Sequence, residues 1–235
     1  MQDFGDSFAL AFQLVAAGDA QLLEIILLSL RVSLTAVAAA CLIGMPLGAA
    51  LAVGRFPGRP AVLVLVNALM GQPPVVVGLV IYLLLSNAGP LGWLQLLYTP
   101  TAMIIAQIVL ITPIVVALSR EVVEQLYVEY AEQFRSLCLT RAEATRALLW
   151  DARYSLITVG LAGFGRAIAE VGAVIIVGGN IAHLTRVMTT AIALETSKGD
   201  LALALALGLV LLTLALSVNA AVMMLRMMDD GHGHP

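Results

Sequence analysis

Arg166 and Glu170 are the residues whose types and spacing most invite chemistry. They stand four apart within a stretch, 155–178, that is otherwise apolar. At that interval two side chains share one helix face. Charge in apolar surroundings is carried most cheaply as an ion pair. Two readings stay open: a structural tie inside a helix bundle, or an anion path in which the arginine meets an oxyanion. A second group follows at Thr185, Arg186, Thr189 and Thr190. Hydroxyls and a guanidinium suit an oxyanion, and the same residues suit the capping of a loop helix. Gly160, Gly163, Gly165, Gly172, Gly178 and Gly179 surround these groups. They serve either a seam and gate or the close packing of helices.

A third group carries charge in bulk. The stretch 120–153 holds Arg120, Arg135, Arg141, Arg146 and Arg153. By contrast, Pro60 through Ser119 and Tyr154 through Gly165 hold no Asp, Glu, Lys, Arg or His. Within 121–138, Val123, Leu126, Tyr127, Tyr130, Phe134 and Leu137 recur at threes and fours, the helical period. Glu121, Glu124, Gln125, Glu132, Gln133 and Ser136 take the opposite face. A second helix is expected from Arg141 to Trp150, with Thr140 as N-cap and Glu143 closing a capping box. Two helices and a turn make either a stiff element that docks a partner or a solvated hairpin that only joins two spans.

The elements that position these groups follow from composition. The chain has 235 residues, 61% hydrophobic and 11% charged, with a mean hydropathy of +1.00. Soluble chains carry about one quarter charged residues. So much apolar surface exceeds what one soluble core hides, and the bilayer is its natural solvent. An all-α integral membrane protein with about five transmembrane helices is expected, at 26–53, 61–86, 101–119, 155–178 and 200–225. Gly71-Gln72-Pro73-Pro74 must break or kink the second span. Broken backbone at membrane depth is tolerated only beside protein or a water cavity. Residues 1–20 are too short in apolar length to span comfortably and read as an interfacial helix. The transmembrane domain covers 21–226, and 227–235 form a tail. Met188 to Leu194, in the connection 179–199, is expected to dip toward the membrane or lie at its surface.

With five spans, Arg55, Arg59, Arg120, Arg135, Arg141, Arg146, Arg153 and Arg226 fall on one side. Positive residues mark the cytoplasmic face. The N-terminus is therefore expected outside, the C-terminus in the cytoplasm, and the loop 120–153 in the cytoplasm. A net charge of −3 argues against a nucleic-acid partner. Cys41 and Cys138 are expected at different levels and unbridged. His232 and His234 suit a weak metal site or, better, a mobile tail. No catalytic residue, metal site or cofactor is assigned. A phosphate-binding loop needs G-x-x-x-x-G-K-[ST], and the one lysine, Lys198, lies between Ser197 and Gly199. The chain is therefore not expected to hydrolyse ATP.

The loop 120–153 resembles the coupling motif of ABC importer permeases: E-A-A, three residues, Gly, nine residues, then I-x-L-P. Glu132-Gln133-Phe134 fall on E-A-A and Cys138 on the Gly, while Leu148, Trp150 and Asp151 fall on I, L and P. Only the Glu is kept strictly. Longer stretches, GFGRAIAEVGAVIIVGGN (163–180), TRVMTTAIALETSKGD (185–200), MGQPPVVVGLVIYLLLSNAGPLG (70–92) and TPTAMIIAQ (99–107), resemble the tungstate-type permease family. The resemblance implies a permease of an ABC importer for tungstate or molybdate, with two copies of the chain per transporter and lipid around the spans. It also implies an ATPase subunit on the cytoplasmic face and an external substrate-binding protein. Tyr130, Phe134 and Leu137 then become apolar anchors on the ATPase, with Glu132, Arg135 and Arg141 fixing orientation. Arg166, Glu170, Gly178, Gly179, Thr189 and Thr190 become candidates for the path or gate. The alternative is a stand-alone, gradient-driven anion transporter or channel. Such carriers show internal repeats and intramembrane carboxylates; no convincing repeat is present, and Glu170 is the one carboxylate deep in an expected span.

Overall fold

Helix starts and stops along this chain follow local chemistry. A computed structural model describes the backbone of residues 4–230 and the side chains of 10–224. The expectations for Arg226, His232 and His234 lie outside the described side chains. α1 (Phe4–Ala17) ends at Gly18, whose φ of +63° suits glycine. α2 (Ala20–Val53) starts where the Asp19 carboxylate accepts from the Leu22 N–H at 3.0 Å. α3 (Arg59–Met70) and α4 (Pro74–Leu85) follow, then a 3-10 turn at Gly92–Leu94 and α5 (Pro100–Glu129). The loop helices are α6 (Ala131–Ser136) and α7 (Arg141–Asp151). After them come α8 (Arg153–Ile168), α9 (Gly172–Gly178), α10 (Met188–Lys198) and α11 (Leu201–Asp230). No strand occurs among the described residues; the protein is an all-α membrane protein.

α2, α5 and α11 are each long and apolar enough to cross a membrane. Two further pairs qualify only together. α3 and α4 meet at 99°, and α8 and α9 at 59°. The first bend sits at Gly71-Gln72-Pro73-Pro74, as the prolines require. The second falls in the expected span 155–178, and there the Thr189 hydroxyl donates to the Glu170 carbonyl at 2.8 Å. α5 runs ten residues past the expected end of its span at 119, so the first half of the loop continues a spanning helix. α11 continues into the stretch expected as a tail.

The chain divides into two compact units. One draws on the chain up to Ala36, on Pro73–Gln107 and on Gly165–Ser217. Its centre is the crossing of α4 with α9. A Cβ on Gly78 would stand 2.7 Å from the Ala173 Cα, so only glycine permits this approach. α10 is pinned to the same unit by the Met188 N–H, which donates to the Ser29 hydroxyl at 2.8 Å.

The second unit draws on Val37–Gln72, Ile108–Phe164 and the chain from Val218. Gly44 and Gly48, one small-xxx-small interval apart, let α2 lie on α5. A Cβ on Gly48 would stand 2.6 Å from the Val116 carbonyl oxygen. Pro113 lies inside α5 and supplies no N–H to the Val109 carbonyl four residues back. The Gln72 side-chain amide donates to that carbonyl instead, at 3.4 Å. Below the crossing, Ala49, Ala52, Val53, Val123, Leu148, Ala152 and Leu156 form a buried cluster.

Candidate functional site

In the second unit, α6 and α7 form the expected docking element, and their termini are built locally. Thr140 caps α7: its hydroxyl accepts from the Glu143 N–H at 3.4 Å, while the Glu143 carboxylate accepts from the Thr140 N–H at 2.8 Å and hydroxyl at 2.6 Å. These bonds, from the Thr140 side chain and then its backbone, hold the Glu143 carboxyl below its ordinary value of 4.5. Between the helices, Cys138 adopts a φ of +51°. This is the left-handed conformation that glycine takes without steric cost, which explains physically why a glycine would suit this motif position.

The six residues expected to dock divide into two sets. Tyr130 and Phe134 turn inward. Both are half-buried against the unit's own apolar cluster. The Phe134 ring stacks on Tyr127 at 6.2 Å and meets Tyr130 edge-on at 5.9 Å. Hydrogen bonding to Asp151, followed by the charges of Asp151 and Glu129, pushes the Tyr130 phenol above its usual range. Glu132, Arg135, Leu137 and Arg141 face outward, with Leu137 67% exposed. Trp150, 73% exposed, is a further outward residue; its ring and that of Tyr154 flank the Arg153 guanidinium at 5.3 and 4.6 Å.

This surface is tied to the short connection between α2 and α3. Arg141 donates to the Arg55 carbonyl at 3.1 Å. Arg59 donates to the Leu51 carbonyl at 2.9 Å and to Glu124 at 2.8 Å, and Glu124 also accepts from Arg120 at 2.5 Å. Arg59 and Glu124 lie far apart in the sequence, and only the fold reveals that they meet.

In the first unit the path candidates gather at the two ends of α9. Glu170 is buried, and its carboxylate accepts from Arg166 at 2.5 Å and from the Ala173 N–H at 3.1 Å. It therefore both neutralises the arginine and caps α9, where a carboxylate complements the helix dipole. Of the threonines, Thr189 holds the Glu170 carbonyl. Thr190 accepts from the Val187 N–H at 3.2 Å and donates to the Val187 carbonyl at 3.0 Å. Thr185 donates to the Gly178 carbonyl at 2.5 Å and accepts from the Ile181 N–H at 3.0 Å. These hydroxyls bond backbone groups at helix ends. Gly178 lies against Met103, and Gly179, at φ +71°, packs on the Tyr98 ring. Glu195 is a second buried carboxylate, 3.0 Å from Lys198 and 3.8 Å from Arg186. No group of three or more metal-ligating side chains occurs among the described residues.

Residues 44–226 match the family described as binding-protein-dependent transport system inner membrane component. The chain belongs to this family. It is a multi-pass membrane permease component, and permeases of this kind work with ATPase and substrate-binding partners. Among curated relatives, the tungstate uptake system permease protein TupB of Peptoclostridium acidaminophilum is 39% identical over 226 residues, covering 96% of this permease and 99% of the relative. A probable anion ABC transporter permease of Haloferax volcanii is 40% identical over 185 residues, 77% of this chain and 80% of the relative. The sulfate transport system permease protein CysT of Escherichia coli is more distant, 31% identical over 153 residues, 62% of this chain and 55% of the relative.

Proposed function

We propose that this chain is the permease subunit of an ABC importer for tungstate, with molybdate as the nearest competing cargo. The observation that carries the reading is the near full-length similarity to a tungstate uptake permease. The second anion-permease relative agrees with it in cargo charge, and the sulfate permeases agree in cargo shape. Two copies of the chain form the path. A separate ATPase subunit supplies the energy, since no phosphate-binding loop occurs in the sequence. A substrate-binding protein delivers the anion from outside.

In this reading the N-terminus is outside and the C-terminus cytoplasmic, on the bias of arginines toward one face. α6 and α7 then lie in the cytoplasm and receive the ATPase through Glu132, Arg135, Leu137 and Arg141. Tyr130 and Phe134 support that surface from beneath. Motion of the ATPase reaches α8 as a rigid-body displacement, because α7 ends at Asp151 and α8 starts at Arg153. At the bend after α8, Arg166, Glu170, Gly178, Gly179, Thr189 and Thr190 form the gate region.

Deletion of the gene, followed by elemental measurement of cells supplied with tungstate, molybdate or sulfate, tests the reading. Tungsten accumulation should collapse and return on complementation. Unchanged tungsten accumulation with lost molybdenum would assign the other cargo. Unchanged accumulation of all three, with no ATPase co-purifying, would favour a gradient-driven carrier.

A further inference from the structure

A cleft of about 550 Å³ opens in the second unit between the α2–α3 connection and the loop helices. Arg55, Arg59, Arg135 and Arg141 line it, with Glu124 as the one carboxylate and Tyr127 as an aromatic wall. These residues come from one connection and four helices, so the fold has gathered like charges that repel one another. Glu124 is already shared by Arg59 and Arg120. Arg55, Arg135 and Arg141 have no carboxylate within 4.0 Å among the described residues, and Arg141 donates only to a backbone carbonyl. Within the chain itself, three guanidinium groups are thus left with donors to spare around one concave space; Arg135 and Arg141 are also the arginines assigned above to the ATPase, so the ligand and the ATPase would share them.

We propose that this cleft binds a phosphate group. Guanidinium forks match phosphate oxygens two at a time, and such charge-assisted bonds are the strong ones. The cleft's place in the chain points to the same ligand. It is built where α2 ends at Val53, α3 begins at Arg59 and α5 ends at Glu129. The ends of spanning helices are where a headgroup meets protein, and basic pockets there hold anionic lipids. Val128, 71% exposed at the cleft, adds an apolar lip suited to an acyl chain. Phosphate reaches the site either as the headgroup of an anionic lipid or as a free anion. The assignment does not depend on which anion the permease carries.

The test is thermal melting of the purified full-length chain in detergent at fixed ionic strength. The additions are phosphatidylglycerol, phosphatidylcholine, or sodium phosphate against sodium chloride. Arg55→Gln/Arg135→Gln is compared with the parent chain. A rise in melting temperature with phosphatidylglycerol, with half-saturation weakened on the order of tenfold in the double variant, supports a lipid headgroup. The same arginine-dependent rise with sodium phosphate supports the free anion. No rise with either probe, a rise that the double variant retains, or an equal rise with phosphatidylcholine overturns the proposal. If the double variant does not purify folded, Arg55→Gln alone carries the comparison, because its guanidinium is exposed and holds no carboxylate.

Discussion

Charge is spent differently in the two units. In the first, Glu170 is shared between Arg166 and the Ala173 N–H, and the three threonines close on backbone groups at the bends. Polar groups there hold broken backbone together, as an apolar solvent demands. In the second, Glu132, Arg135 and Arg141 stand exposed on a loop whose apolar side chains, Tyr130 and Phe134, turn inward. The polar residues inside the bundle are thus turned upon the protein, and those on the loop are available to partners. Polarity alone does not mark a transport site; the state of its hydrogen bonds does.

Substitutions can break this contrast, and the largest effects should come from neither set of charges but from the crossings. Gly78→Leu in the first unit and Gly48→Leu in the second each place a side chain into backbone. Each should cost about 3 kcal/mol or more, read as loss of monodisperse protein on size exclusion. A folded Gly48→Leu protein would show that α2 and α5 tolerate separation.

Next in size, Glu170→Ala should cost about 2–3 kcal/mol. Removing one partner of a buried pair sets the upper figure, and the 39% exposure of Arg166 lowers it. Glu132→Ala, on the exposed loop, should change stability by less than about 0.5 kcal/mol while lowering ATPase recovery in a pulldown. Equal melting temperatures for the two variants would erase the difference between the regions. Within the loop, Phe134→Ala should cost about 1–2 kcal/mol through lost packing on Tyr127 and Tyr130. Leu137→Ala should leave melting unchanged and weaken ATPase binding.

The smallest effects concern the turns. The Glu143 carboxyl is held below its ordinary 4.5, so its bonds stabilise α7 fully above about pH 4.5 and are lost as pH falls through the depressed value. Protection of the amides in the first turn of α7, relative to their intrinsic exchange rates, should fall on acidification below that point, and Thr140→Ala should shrink this pH dependence to the part owed to the backbone N–H. Cys138→Gly relieves a left-handed non-glycine residue. It should raise stability by about 0.5 kcal/mol, the steric gain less the entropy of an added glycine. A decrease would show that the thiol itself packs usefully.

Features set by near neighbours were legible in the sequence. Pro73-Pro74 announced one bend, Thr140 and Glu143 announced a cap, and uncharged runs announced the spans. The bend at Glu170 was not legible, because no proline stands there and the Thr189 hydroxyl that ties the Glu170 carbonyl lies nineteen residues away. Hydrophobic periodicity cannot show a bond made across the fold. The reach of α5 to Glu129 was hidden for a related reason: the end of apolar sequence marks the end of the bilayer, not of the helix. Periodicity picked out the face of the loop that packs inward at Tyr130 and Phe134, but not at Leu137, which is 67% exposed. It could not tell whether that face meets a partner or the protein's own core, and the core took Tyr130 and Phe134.

The bond from Gln72 to the Val109 carbonyl ties position 72 to position 113, whose proline leaves that carbonyl without a helix partner, as one unit of inheritance. While proline occupies 113, losing the glutamine leaves a carbonyl bare in an apolar medium. Once alanine occupies 113, its own N–H fills that place and the glutamine is released from duty. Gln72→Leu should therefore be harmful alone and nearly silent beside Pro113→Ala. For such a pair the order of change is fixed: the proline must go first.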